Sequence, residues 1–248
     1  MAGVSVTADA AGERFAVEFQ VADGAWQREP LSACHGARFE DAVPARPFRF
    51  EKGLQSFAGW WYFATTGTHV GFESWLERDH LMLMDFDPAV RAVASQPFWL
   101  RWRDEEGRSR RHAPDFFIRR QDGSAVVVDV RPDDRIPERD AQTFAVTAEA
   151  CEAAGWEYRR SGNLDRVMVA NVRWLSRYRH GRCRVPEVAA VLLEAFAGGR
   201  SLAEGAGLAG DRLRVLPVLF HLMWHRQLAA DLTVPLSMST AVTSGGTP

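Results

Sequence analysis

The feature that most restricts the fold is the run AVVVDV at 125–130, apolar in every position but one. A strand with one solvated face alternates apolar and polar residues; this run does not, so it reads as a buried core strand. It follows DFFIRR (115–120) across the turn QDGS, a good short-hairpin signal, so the two runs are expected to pair antiparallel. Asp129 then sits in buried surroundings, where a carboxylate is costly unless it is paired or binds a metal.

The flanking segments supply the rest of a core. GWWYFATTGTHVGFE is aromatic and β-branched, and it leads into FESWLERDHLMLMDFDP, whose apolar residues at 72, 75, 76, 82 and 83 predict a helix ending near Phe86. VRAVASQPFWLRW, DFFIRR and AVVVDVRP read as three strands of an antiparallel meander. PERDAQTFAVTAEACEAAG has a proline near its start, acids in its first turn and a glycine at its end, which is helix punctuation. WEYRRSG follows as a strand and DRVMVANVRWLSRYRH as a helix. The order helix, three strands, helix, strand, helix predicts an α/β or α+β core at 59–180.

Short strand-like patches, RFAVEFQV and PFRFE, predict a small β-rich extension at 1–58. Beyond His180, EVAAVLLEAFAGG, SLAEGAGL and DRLRVLPVLFHLMWHRQL read as two short helices and a longer one. With the strand-like LAADLTVPLS they predict a winged helix-turn-helix at 181–240, ahead of a disordered tail at 241–248.

Composition removes several classes of function. A net charge of −2 excludes a surface coated in basic residues and leaves room for a local basic groove. Cys34, Cys151 and Cys183 are scattered with no CxxC pair, which suggests neither a disulfide framework nor a zinc site. No signal-like start is present and no apolar stretch approaches the ~18 residues a membrane helix needs, so a cytoplasmic protein without a membrane partner is expected.

Chemistry points to the hairpin. Asp115 begins one strand and Asp129 sits near the end of its partner, so pairing brings both carboxylates to one end of the sheet. Hard cations such as Mg²⁺ favour that donor set. Strand alternation puts Arg131 on the same face as Asp129, where a cation could stabilise charge in phosphodiester hydrolysis. A third acid can come from the preceding helix, and Glu73 and Glu77 both have the spacing for it. The rival reading keeps Asp115 as a solvated strand-end acid and Asp129 in a buried ion pair with Arg131. Arg101, Arg103, Arg108, Arg110, Arg111, Arg119 and Arg120 surround the hairpin and could grip phosphates, with solvated hairpin charges as the alternative. Arg212 and Arg214, at the start of the long C-terminal helix, could enter a major groove; that module could equally dock a protein. His221 and His225 are four apart on that helix and read as packing and surface residues.

Two stretches, GFESWLERDHLMLMDFDPAVRAVASQPFWLRW and HAPDFFIRRQDGSAVVVDVRP, resemble the TnsA-like endonuclease subunits of heteromeric transposases, members of the restriction-endonuclease-like PD-(D/E)xK superfamily. The resemblance runs over roughly 59–180. It implies a restriction-endonuclease-like core, a mixed central sheet flanked by helices. It also implies a Mg²⁺-dependent endonuclease, with Mn²⁺ able to substitute, that nicks one strand of double-stranded DNA at mobile-element ends. The expected partners are a transposase-integrase and an AAA+ ATPase. Motif for motif, the helix glutamate falls on Glu77, the strand-start ligand on Asp115, the second ligand on Asp129 and the basic residue on Arg131. The superfamily usually has lysine at that last position. Arginine cannot lose its proton, so Arg131 could position and stabilise charge without acting as a general base. A non-catalytic DNA-binding subunit with a degraded site, or an anti-phage nuclease, are the alternatives. Gln96 also resembles a recurring family residue and is expected to brace its strand.

Overall fold

In the computed structural model, residues 14–21, 23–48, 57–134 and 136–245 are described. They form a mixed α/β protein in two compact units, Met1–Leu81 with Ala89–Asn163, and Met82–Pro88 with Leu164–Pro248.

The first unit runs β1 (Ala16–Gln20), β2 (Trp26–Pro30), β3 (Gly59–Phe63), β4 (Thr68–Phe72), α1 (Trp75–Phe86), β5 (Val90–Ser95), β6 (Trp99–Arg103), β7 (Ser109–His112), β8 (Phe116–Arg120), β9 (Ala125–Val130), α2 (Glu138–Ala153) and β10 (Glu157–Ser161). The end of α1, from Met82, groups with the second unit. The central sheet has the order β10-β9-β8-β5, with β10 parallel to β9 and the other pairs antiparallel. It is mixed, as expected. All of β9 is buried, and Ala125 and Val127 pack with Phe117 and with Ala150 and Cys151 of α2. Each fully buried valine of that strand contributes roughly 1.5–3 kcal/mol. α2 starts after Pro137 with Glu138 and Asp140 in its first turn, and Gly155 follows its end at φ +70°.

VRAVASQPFWLRW differs from expectation. It is not one strand: Gln96 takes a left-handed conformation, φ +49°, and Pro97 removes a ladder donor. The chain therefore leaves the central sheet after β5, and β6 joins a second sheet of order β2-β1-β6-β7. Within the expected extension, β1 pairs with β6, and Phe15, Val17, Leu31 and Phe39 share one core with Phe117 and Val127. Pro47 and Phe48, the start of the expected strand PFRFE, are not in a strand; its remaining residues lie outside those described.

The second unit contains α3 (Arg166–Leu175), α4 (Pro186–Ala195), β11 (Arg200–Ser201), α5 (Leu202–Ala209), α6 (Arg212–Trp224), β12 (Leu228–Ala229) and β13 (Ala241–Ser244). Ser201 and Glu204 form a reciprocal capping box on α5. LAADLTVPLS supplies only β12. Its partner β13 falls in the expected tail, where it is the middle strand of the order β11-β13-β12 with Val242 fully buried. That burial is what holds 241–244 in place; 246–248 lie outside the described residues. Among the described residues no helix is long and apolar enough to cross a membrane.

Candidate active site

The β8–β9 turn sets the site. Asp122 accepts from the Ser124 N–H at 2.9 Å and the Ser124 hydroxyl at 2.7 Å, and Gly123 takes φ +84°. The resulting register pairs Phe116 with Val128 and Phe117 with Val127. Continued by one residue, it puts Asp115 opposite Asp129, on the face that carries Phe117 and Val127.

Asp129 is buried, and both of its oxygens are engaged. Oδ1 is 2.8 Å from His112 Nε2 of β7, and Oδ2 accepts from the Tyr158 hydroxyl of β10 at 2.8 Å. A carboxylate so buried would otherwise be strongly disfavoured. Burial first, then the charge of Asp129, pushes the Tyr158 phenol far above its ordinary value, so it stays protonated and donates. Cys151 responds likewise: burial and then Asp129 push its thiol up to about 12.

Asp115 accepts from the Val130 N–H at 2.7 Å. Its carboxyl is nonetheless raised well above the usual carboxylate range. Burial is the main cause, followed by the negative charges of Glu77 and Asp129, and the Val130 bond and Arg46 only partly offset them. Glu77 lies in the first turn of α1, where Oε1 accepts from the Ser74 hydroxyl at 2.8 Å and Oε2 from the Glu73 N–H at 2.7 Å. Ser74 Oγ in turn accepts from the Glu77 N–H at 3.1 Å, a helix cap that aims the carboxylate. Burial raises the Glu77 carboxyl too. Glu77 of α1 and Asp129 of β9 thus both act on Asp115, one residue before β8. Their oxygen donors suit a hard divalent cation. Among the described residues, no group of three or more His, Cys, Asp or Glu side chains is placed to hold a metal ion.

Arg131 is half-exposed, and its guanidinium is 3.2 Å from Asp140 of α2. The rival reading's ion pair between Asp129 and Arg131 is not formed: Asp129 bonds to His112 and Tyr158, and Arg131 pairs with Asp140. Arg46 was not anticipated: nothing in its surroundings, PARPF, marks it. Its guanidinium forks onto Glu73, at 3.1 and 2.5 Å, and its charge draws down both Asp115 and Glu77. Gln96 explains how it is held: Gln96 N–H donates to the Asp115 carbonyl at 2.9 Å, and Ala45 N–H donates to the Gln96 carbonyl at 2.8 Å. The Gln96 backbone therefore ties the loop before Arg46 to the start of β8. Its buried Oε1 has no hydrogen-bond partner among the described residues.

The other arginines divide by environment. Arg119 is buried and bonded to Glu40, the Ala37 carbonyl and the Gly123 carbonyl, which makes it a brace within the fold. Arg108 and Arg110 pair with Asp104, and Arg120 pairs with Glu157. Arg101 pairs with Glu18, Arg103 donates to the Gly107 carbonyl at 2.8 Å, and Arg111 lies over the Trp99 ring at 4.3 Å. Arg212 and Arg214 are exposed at the start of α6 in the second unit. There His221 and His225 donate to the carbonyls of Tyr178 and Arg179, at 2.7 and 3.2 Å.

Residues 87–160 match the family model for the TnsA-like endonuclease N-terminal domain; the similarity of this stretch supports a nuclease role. The match contains Asp115, Asp129, Arg131 and Gln96, whereas Glu77 and Arg46 lie before it. No curated protein matches the chain.

Proposed function

We propose that this chain, through its TnsA-like endonuclease segment, is a divalent-metal-dependent DNA endonuclease that nicks one strand at mobile-element ends beside a partner transposase-integrase and an AAA+ ATPase. The observation that supports the reading most is Asp115 at the start of the β8–β9 hairpin, accepting from the Val130 N–H beside Asp129, with the charges of Glu77 and Asp129 both acting on it. Mutual repulsion of this kind is what a cation relieves. Mg²⁺ binds through one or two carboxylates together with waters and substrate phosphate, so it needs no closed protein cage. When bound, Mg²⁺ or Mn²⁺ would polarise the scissile phosphate and make water more acidic.

The protein's own groups then have distinct roles. Asp115 and Asp129 are the strand ligands, with His112 and Tyr158 fixing the orientation of Asp129. Glu77, aimed by its helix cap, supplies the third carboxylate. Arg131 and Arg46 provide the positive charge that a developing phosphorane needs. The pair between Arg131 and Asp140 is exposed enough that exchanging Asp140 for a phosphate costs little.

In the second unit, the order of helix, short strand, two helices, strand, loop and strand supports a winged helix-turn-helix. The loop at 230–240 contains no basic residue. Asn171 of α3 pins it, donating to the carbonyls of Leu232 and Val234 at 2.9 and 2.8 Å and accepting from Leu236 N–H. Arg212 and Arg214, exposed at the start of α6, are the DNA contacts proposed for this unit.

The test is nicking of supercoiled plasmid with Mg²⁺ or Mn²⁺, by the chain alone and with its partner proteins. Asp115→Ala should abolish it, and equal nicking by that variant would remove the assignment.

A further inference from the structure

In the sheet β2-β1-β6-β7, β1 and β6 bury one face, β2 is exposed throughout, and the two faces differ in chemistry. Val17, Leu100 and Trp102 point into the core. Register then dictates what faces outward: Glu18 opposes Arg28 on β2 and Trp99 on β6, Ala16 opposes Arg101, Arg101 opposes Arg111 on β7, and Arg103 opposes Ser109. Arg28, Arg101, Arg103 and Arg111 therefore share one face. Glu29 opposes Val17 and belongs to the other. At the edge of this face lies an open depression of about 380 Å³, lined by Arg14, Arg28, Arg101 and Arg103 with no acidic side chain among the described residues of its wall.

We infer that this face, with the Arg14–Arg28–Arg101–Arg103 depression at its edge, is a phosphate-binding platform for the duplex DNA flanking the cleavage point. The inference rests on the nuclease reading and extends it to β1 and β2, which lie outside the matched family segment. Charge complementarity selects the occupant. Five arginines gather here in a chain of net charge −2, against Glu18, paired with Arg101, and Glu149, 2.6 Å from Arg14. Both pairs are partly exposed, so each guanidinium can exchange its carboxylate for a phosphate at little cost. A row of guanidiniums across neighbouring strands meets successive phosphates of a backbone, which positions DNA without reading its sequence.

The test is the affinity of the full-length chain for a fluorescent duplex, measured by anisotropy in Ca²⁺ buffer over a salt series. Arg28→Glu and Arg103→Glu should each weaken binding by about 10-fold and flatten the slope of log K against log salt by about one. Arg38→Glu, the same charge change elsewhere on the surface, should do neither, and thermal melts should show all three folded. Wild-type affinity and slope in Arg28→Glu and Arg103→Glu, or an equal loss in Arg38→Glu, overturns the inference while leaving the nuclease reading in place. A wild-type chain that neither binds nor nicks DNA removes the nuclease reading, and this one with it.

Discussion

Asp115 stands opposite Asp129 at the open end of the β8–β9 hairpin, and the two carboxylates are treated differently: Asp129 accepts from Tyr158 and His112, whereas Asp115 receives one backbone N–H and the repulsion of both neighbouring acids. Activity and stability are therefore opposed at Asp115.

Asp115→Asn is expected to lose nicking by at least about 100-fold yet gain about 2–4 °C in melting temperature in metal-free buffer. The folded-state value of Asp115 is raised, so its ionised form is destabilising. The advantage of the variant should vanish below the unfolded value, near 4, and grow as pH rises through the folded one. Thermal melts from acid to neutral pH read this directly.

A divalent cation should reverse that order. Ca²⁺ at a hundredfold excess over its dissociation constant stabilises the wild type by about 2.7 kcal/mol. Asp115→Asn should lose most of that gain, as scored by melts with and without chelator.

Removing the donors of Asp129 should be costly. Tyr158→Phe leaves a buried carboxylate oxygen without its hydroxyl, and about 1.5–3 kcal/mol should be lost in urea unfolding. The penalties of Tyr158→Phe and His112→Asn should not add, since both act on one carboxylate.

The two site arginines can be separated by their partners. Arg46→Ala and Arg131→Ala should each slow nicking by about 10–100-fold. Asp140→Ala, which only frees Arg131, should leave the rate unchanged and shift stability by no more than about 1 kcal/mol. Single-turnover rates on plasmid distinguish these outcomes.

His80 of α1 donates from Nε2 to the Gly162 carbonyl at 2.8 Å, and burial lowers its basicity. The stability this gives is fully present above the unfolded value, near 6.5, and is lost as pH falls toward the lower folded value. His80→Gln should flatten that loss in denaturation curves between pH 7 and 5.

Much of this was legible in residues 112 to 132 alone. An apolar run with one acid in it determined a covered central strand, and a four-residue turn with glycine determined the hairpin that sets Asp115 opposite Asp129. Those are local rules of periodicity and turn chemistry, and they act over a few residues. Helix punctuation located α1 and α2 for the same reason. Only the tertiary structure decided what surrounds the acids. Tyr158 reaches Asp129 because β10 returns parallel to β9, and His112 because β6 and β7 leave for a second sheet at the left-handed Gln96. Arg46 comes near through backbone bonds between segments far apart in the chain, and Arg131 turns to Asp140 on a helix its own strand could not foretell. Strand register orders residues along one hairpin; which charges meet at its end depends on how distant segments pack, and the pattern of a single strand carries no record of that.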